Sequence, residues 1–185
     1  MNSIKWILFA AAILLELLYI ALFIITVKVP NFKFWPPPSA RSWQFFSAWI
    51  IASLVAVFFL FLGLLDFDSA ILHHWIRFPI SLVLFVMSSI VGTWAYSSLG
   101  LWATLGLGKR LITKGPYRYT RNPQYLADML NIFVYMLFTN SWMVWLTGVL
   151  GVSLNLLAPF TEEPWLEEQF GVEYMEYKSR VPRFL

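Results

Sequence analysis

The sequence contains no cysteine and only two histidines, adjacent at His73 and His74. That excludes a disulfide framework, a thiolate nucleophile and a Cys-ligated metal, and it leaves almost no material for a His-based metal cage. Charge is scarce as well. Asp, Glu, Lys and Arg make up 12% of the 185 residues, against roughly 25% in an ordinary soluble domain. The net charge of +3 is too small and too scattered to favour nucleic acid as a partner. In their place stands hydrocarbon: 59% of residues are hydrophobic and the mean hydropathy is +0.68. This is the composition of an integral membrane protein, whose partners begin with the membrane itself.

The apolar residues fall into runs at 6–27, 43–65 and 78–99, followed by a close pair at 123–138 and 142–160. Each of the first three is about 22 residues long, enough at about 1.5 Å per residue to cross a hydrocarbon core of roughly 30 Å. The first is broken only by Glu16, which is costly in lipid and so should face protein or a water-filled cavity. It is too long for a signal-peptide apolar region and has no small-residue cleavage site, so it is read as retained. The final pair reads as a helical hairpin turned at Thr139-Asn140-Ser141, its first member short and starting at Pro123. Pro36-Pro37-Pro38 reads as a stiff connector.

Eleven of the thirteen Lys and Arg residues lie in the first loop, the third loop or the C-terminal tail; Lys5 and Arg77 lie on the opposite side. Basic residues gather on the cytoplasmic side. The expected fold is therefore all-α and polytopic, with five transmembrane helices, N-terminus outside and C-terminus inside. The chain is read as one domain over 1–185: a three-span half at 1–99, then at 100–185 a polar loop, the hairpin and an acidic tail.

That tail holds six of the ten acidic residues. Thr161 reads as an N-cap, Glu162 and Glu163 as first-turn acids and Pro164 as an early helical position. The spacing of Trp165, Leu166, Phe170, Tyr174 and Tyr177 predicts a short amphipathic helix on the cytoplasmic face, interrupted at Gly171.

Two polar clusters thus share one side of the bilayer. GPYRYTRNPQY, residues 115–125, sets three tyrosines and two arginines immediately before a membrane helix. On that helix Asp128 and Asn131 share a face with Tyr125. A pocket of Tyr117, Arg121, Asn122, Tyr125, Asp128, Asn131, Glu162 and Glu163 follows. Paired carboxylates beside aromatic rings suit a cationic ligand, and arginine and backbone donors suit a carboxylate or hydroxyl. Tyrosines and arginines are also ordinary interfacial anchors, and an acid pair is also an ordinary helix start. No feature points to a metal.

The ordered set Leu111-Ile112, Gly115-Pro116-Tyr117-Arg118-Tyr119, Arg121-Asn122-Pro123-Gln124-Tyr125, Glu162-Glu163, Leu166, Phe170-Gly171, Tyr174 and Tyr177 resembles the isoprenylcysteine carboxyl methyltransferase and phospholipid methyltransferase superfamily. The resemblance runs from Leu111 to the C-terminus. It implies S-adenosyl-L-methionine bound at the cytoplasmic face, with a lipophilic small molecule or lipid entering from the membrane as methyl acceptor. It assigns cofactor binding to Leu111, Ile112, Gly115, Tyr117, Arg121, Asn122, Tyr125, Glu162 and Glu163, with Arg121 bridging loop and tail. Asp128, Glu163 and Arg121 are the residues expected at the chemistry, Asp128 or a glutamate serving as base if the acceptor must lose a proton.

Two positions depart from the family pattern. The family histidine is Asn122, which can hydrogen-bond but cannot titrate, and an arginine common before the acid pair is Ala158. The second weakens the case for a carboxylate acceptor, although Arg180 and Arg183 could serve. An amine lipid or a thiol stays open. Two other readings compete: an NADPH-dependent membrane reductase of the sterol reductase type, and a non-catalytic relative.

Overall fold

The computed structural model describes residues 2–29 and 31–184. Among the described residues the regular elements are all helical. The long helices are α1 (Asn2–Lys28), α2 (Trp43–Leu65), α3 (Arg77–Leu99), α5 (Pro123–Thr139) and α6 (Trp142–Arg180), with a single-turn α4 (Leu101–Thr104) and a 3-10 turn at Gly115–Arg118. Four of them, α1, α2, α3 and α6, are long and apolar enough to cross a membrane. Large apolar side chains such as Ile50, Leu64, Leu82 and Phe85 are exposed on their outer faces, as lipid-facing surfaces require. The protein is an integral membrane protein. At 17 residues α5 is shorter, about 25 Å by its rise.

Local chemistry fixes the helix ends. The Ser42 hydroxyl accepts from Phe45 N–H and starts α2. Pro123 occupies the first turn of α5, where its missing N–H costs nothing. Asn140 adopts a left-handed conformation (φ 48°) and Ser141 caps α6 by accepting from Val144 N–H, which makes the tight hairpin expected at those residues.

The tail does not form the separate helix expected from Thr161. The helix α6 runs on past the end of its apolar run, and Thr161 is buried within it, its hydroxyl donating to Ala158 O at 2.8 Å. Pro159 and Pro164 each forfeit one intrahelical bond without ending the helix. The break comes at Gly171 (φ 51°, ψ −124°), a conformation that glycine adopts readily. The continuous part of α6, residues 142–170, is about 44 Å long, half as long again as a hydrocarbon core, so the helix runs on beyond the membrane before the break.

The helices pack in an arc: α1 lies against α2 and α6, α6 against α5, and α5 against α3. The α3–α5 seam uses small residues. A Cβ on Gly92 would meet that of Ala127 at 3.4 Å, and Ser88 donates to Asn131 Oδ1 at 2.5 Å. One end of the arc is locked by two aspartates. Asp66 accepts from Lys5 (2.9 Å), Ser69 (2.6 Å) and Ser141 (2.7 Å), and Asp68 from Arg77 (2.5 Å) and Asn140 (2.8 Å). Near that end Ala12, Leu62, Met136, Met143 and Val144 form an apolar plug. A second cluster, Phe23, Phe34, Trp35, Ala48, Ile51 and Ala158, forms toward the tail end. Between and beside the two lies a cavity.

Candidate active site

The cavity measures about 570 Å³, within the roughly 300–1,000 Å³ range of small-molecule sites. Leu111, Ile112, Tyr117, Arg121, Asn122 and Tyr125 from the loop and the start of α5 all border it. So do Asp128, Asn131, Glu162 and Glu163. Gly115 does not. It turns the chain at φ 63° against α3, where a Cβ would press on Ser98 Oγ at 2.9 Å. Its contribution is the turn itself.

The two glutamates have different environments. Glu162 Oε1 accepts from the Trp35 indole N–H at 2.7 Å and from the Tyr125 hydroxyl. Burial raises its pKa, the two donors oppose that, and the charge of Glu163 adds to it, leaving the carboxyl above its ordinary range. Glu163 is instead held by cations. Arg183 donates to both of its oxygens at 2.7 Å, and Arg121 lies at 2.9 Å and Lys178 at 3.6 Å. Burial raises this pKa too, but the Arg183 hydrogen bonds and the charges of Arg121, Arg183 and Lys178 outweigh it and hold the carboxyl below its ordinary range. Glu162 therefore faces the cavity as the less committed acid, while Glu163 is a tie point.

The loop GPYRYTRNPQY docks the end of the chain. Arg121 N–H donates to Pro182 O at 2.9 Å, and the Arg121 guanidinium to Lys178 O at 3.3 Å. Thr120 Oγ1 and Asn122 Nδ2 both donate to Arg183 O, at 3.0 and 2.9 Å. Tyr177 donates to Tyr117 O at 2.6 Å, and Tyr117 to Gln124 at 3.0 Å. Asn122 is buried and its carboxamide is spent on the tail. Asp128 accepts from Tyr96 at 2.5 Å.

Several lining residues had no part in the pocket read from sequence. Trp35, in the proline-rich connector, folds inward to reach Glu162. The connector packs on the loop through Gly106 (φ 76°), where a Cβ would approach Pro37 at 2.8 Å and Trp35 at 2.9 Å. Tyr19, Tyr96 and Arg110 also border the cavity. Glu16 does as well, at 1% exposure, which agrees with the expectation that a charge in the first run faces protein or a cavity. The signal for Trp35 was an aromatic side chain beside prolines on the same side as the loop, a pattern with no periodicity to mark it. Among the described residues no group of three or more His, Asp or Glu is placed to hold a metal ion.

Known proteins supply a frame for this geometry. Over 145 aligned residues the chain is 31% identical to the cobalt-zinc-cadmium resistance protein CzcN of Cupriavidus metallidurans, covering 63% of this chain and 66% of that protein. It is 28% identical over 112 residues to the steroid 5-alpha-reductase DET2 of Solanum lycopersicum, covering 60% of this chain and 43% of the reductase. The chain thus spans just under two thirds of one relative and under half of the other. No solved structure matches it. The phospholipid methyltransferase family model matches residues 76–173, from the start of α3 through the loop, the hairpin and the acid pair. With more than half of its length inside that match, the chain belongs to the phospholipid methyltransferase family.

Proposed function

We propose that the protein is an S-adenosyl-L-methionine-dependent methyltransferase acting on a lipophilic or membrane-partitioned acceptor. The observation that carries this reading is the Trp35–Glu162–Tyr125 group, a carboxyl held between an indole and a phenol at the wall of the cavity. A carboxyl among aromatic faces attracts a cation through charge and ring quadrupole together, and the cofactor carries both a sulfonium and an ammonium. When bound, it supplies a methyl group on positively charged sulfur. Glu162, Trp35, Tyr125 and Tyr117 would hold it, with backbone groups of Leu111 and Ile112. The docked tail and the apolar walls exclude water and fix orientation, which is most of what a displacement asks of a protein. Glu163 and Arg121 contribute by building this wall. Asp128, which accepts from Tyr96 and pairs with no cation among the described residues, would serve as base for an acceptor that must lose a proton.

In this reading α5 is a fifth, short span, the N-terminus is outside, and the polar mouth of the cavity opens on the cytoplasmic face. The excess of Lys and Arg in the first loop, third loop and tail supports that orientation.

The resemblance to a plant steroid 5-alpha-reductase favours one rival, a reductase taking a dinucleotide cofactor. Arg110 at the cavity would be its phosphate contact. Calorimetric titration of the detergent-purified protein with S-adenosylhomocysteine, alongside NADPH, separates the two. Saturable binding of the former alone is expected; binding of NADPH alone would move the protein to the reductases.

A further inference from the structure

The cavity reaches far past the loop. On α1 the residues Ala12, Glu16, Tyr19 and Phe23 follow one face. Ala12 belongs to the plug with Leu62, Met136, Met143 and Val144, and Phe23 to the cluster near the tail end. Glu16 stands between them, at the floor of the cavity with Ile132, Thr147 and Gly148. It lies roughly 16 Å along the helix from Lys5 and roughly 18 Å from Lys28, close to the middle of α1.

Along the cavity, Trp49 Nε1 and Tyr174 Oη are buried without a partner among the described residues, whereas the neutral polar groups of α3, α5 and α6 nearer Glu16 are satisfied locally. The Thr147 hydroxyl donates to Met143 O at 3.0 Å, Asn155 to Gly151 O at 2.8 Å, and Ser88 to Asn131 at 2.5 Å. Among the described residues, buried Glu16 Oε2 finds no hydrogen-bond partner. A bare carboxyl oxygen in an apolar interior costs more than about 1 kcal/mol, so its presence calls for a partner beyond those the described residues supply. The two arginines that border the cavity, Arg110 and Arg121, stand at the loop, and Arg121 is committed to Glu163.

Resting on the methyltransferase reading above, we infer that Glu16 is the acceptor-binding residue: its free oxygen receives a hydrogen bond from a compact, non-anionic acceptor whose nucleophilic atom carries a hydrogen, as a thiol, amine or hydroxyl does. A carboxylate or phosphodiester head cannot take this place. It would meet another carboxyl with no cation to balance it, and would have to leave the interface for the middle of the bilayer. The acceptor is therefore a small molecule swallowed whole, its reactive group aimed at the floor, rather than a phospholipid or prenylcysteine held by its head.

The test uses the full-length protein in detergent, with butane-1-thiol, butylamine and butan-1-ol as probes beside phosphatidylethanolamine vesicles and S-farnesylcysteine. Methyl transfer to at least one four-carbon probe is expected. Its KM should rise about tenfold or more in Glu16→Leu, which removes the accepting oxygen and with it one strong hydrogen bond, while S-adenosylhomocysteine affinity stays within about twofold. Saturation-transfer NMR on cofactor-free protein should show contact with that probe in the wild type and lose it in Glu16→Leu. Glu16→Leu should melt at or above the wild-type temperature, because a carboxyl kept for a ligand is a burden to the empty fold. A structural carboxyl would make Glu16→Leu melt lower and leave KM unmoved, which overturns the proposal. Transfer only to the phospholipid or to S-farnesylcysteine, or to none of the five by a protein that binds S-adenosylhomocysteine, overturns it as well. Absence of S-adenosylhomocysteine binding in the wild type is the separate result that removes the methyltransferase reading, and this inference with it.

Discussion

Arg183 closes on Glu163 with two parallel hydrogen bonds of 2.7 Å, joining the last turn of chain to the end of the membrane helix twenty residues earlier. A paired fork of this kind fixes direction as well as distance. Arg121 reaches the same carboxylate from the loop at 2.9 Å, so one acid organises loop, helix and tail. Glu163→Ala would leave the nearly buried Arg121 unpaired, and removing one partner of a buried pair costs about 3–5 kcal/mol. Arg183 is about one third exposed, and Arg183→Ala should cost less, about 1 kcal/mol. Thermal melting of the two variants in detergent checks the order. A larger loss for Arg183→Ala would mean that the tail, and not the carboxylate, is the centre of the network.

Acid should weaken the fold from both ends. Glu163 at the tail end is held below its ordinary value of 4.5. At the other end Asp66 is lowered, burial being outweighed by Ser69, Ser141 and Lys5, and Asp68 is lowered to about 2 by Asn140 and Arg77. A depressed folded-state pKa means that the unfolded chain binds the proton more tightly. The stability from these groups is thus fully present above the ordinary carboxylate range and is lost as pH falls through the folded-state values. The contribution of these three groups to the melting temperature should hold level above about pH 5 and decline toward pH 2, while the raised Glu162 adds an opposite slope above its ordinary value. In Asp68→Asn the decline should be shallower, and an unchanged acid limb would remove Asp68 from the account.

Gly106 tests whether the connector and the loop form one wall. Its left-handed backbone and its approach to Pro37 and Trp35 both exclude a side chain. Gly106→Ala should destabilise by about 1–3 kcal/mol through overpacking and should weaken S-adenosylhomocysteine binding by displacing Trp35 from Glu162. Trp35→Phe removes the indole donor without the clash. If both variants bind as the wild type does, Trp35 is packing alone.

Glu162→Gln keeps the shape of the acid and removes its charge. Loss of a charge-assisted contact to a cationic ligand corresponds to about tenfold in Kd, or 1.4 kcal/mol. Calorimetry with S-adenosylmethionine and with S-adenosylhomocysteine, which lacks the sulfonium charge, separates the contributions. The affinity loss should be larger for the charged ligand. An equal loss for both would place Glu162 at the nucleoside or the amino acid end.

Much of this was legible in the residues. The limits of the apolar runs became α2 and α3 almost unchanged, because uninterrupted hydrocarbon leaves the backbone no alternative to internal hydrogen bonding. The loop and the acid pair met as their common side required. Three features were hidden for physical reasons. Trp35 joins the site by tertiary packing of an aperiodic connector. Helix α6 continues through Pro159, Thr161 and Pro164, where local cap preferences argued for a start. Asn122 serves the tail through a backbone carbonyl, Arg183 O, and carbonyls are present at every position and so carry no sequence signal.

Orientation gives the last expected outcome, and the absence of cysteine makes it clean. A single introduced cysteine is the only thiol in the chain. Lys114 stands in the loop beside the cavity mouth, and Ile71, 90% exposed, stands between α2 and α3 at the opposite end of the bundle. With five spans and the N-terminus outside, Lys114→Cys should react with an impermeant maleimide only after the cytoplasmic side is opened, and Ile71→Cys in intact cells. The reversed pattern would invert the protein and put the polar mouth outside. Labelling of both in intact cells would mean that α3, the long helix between the two positions, does not cross.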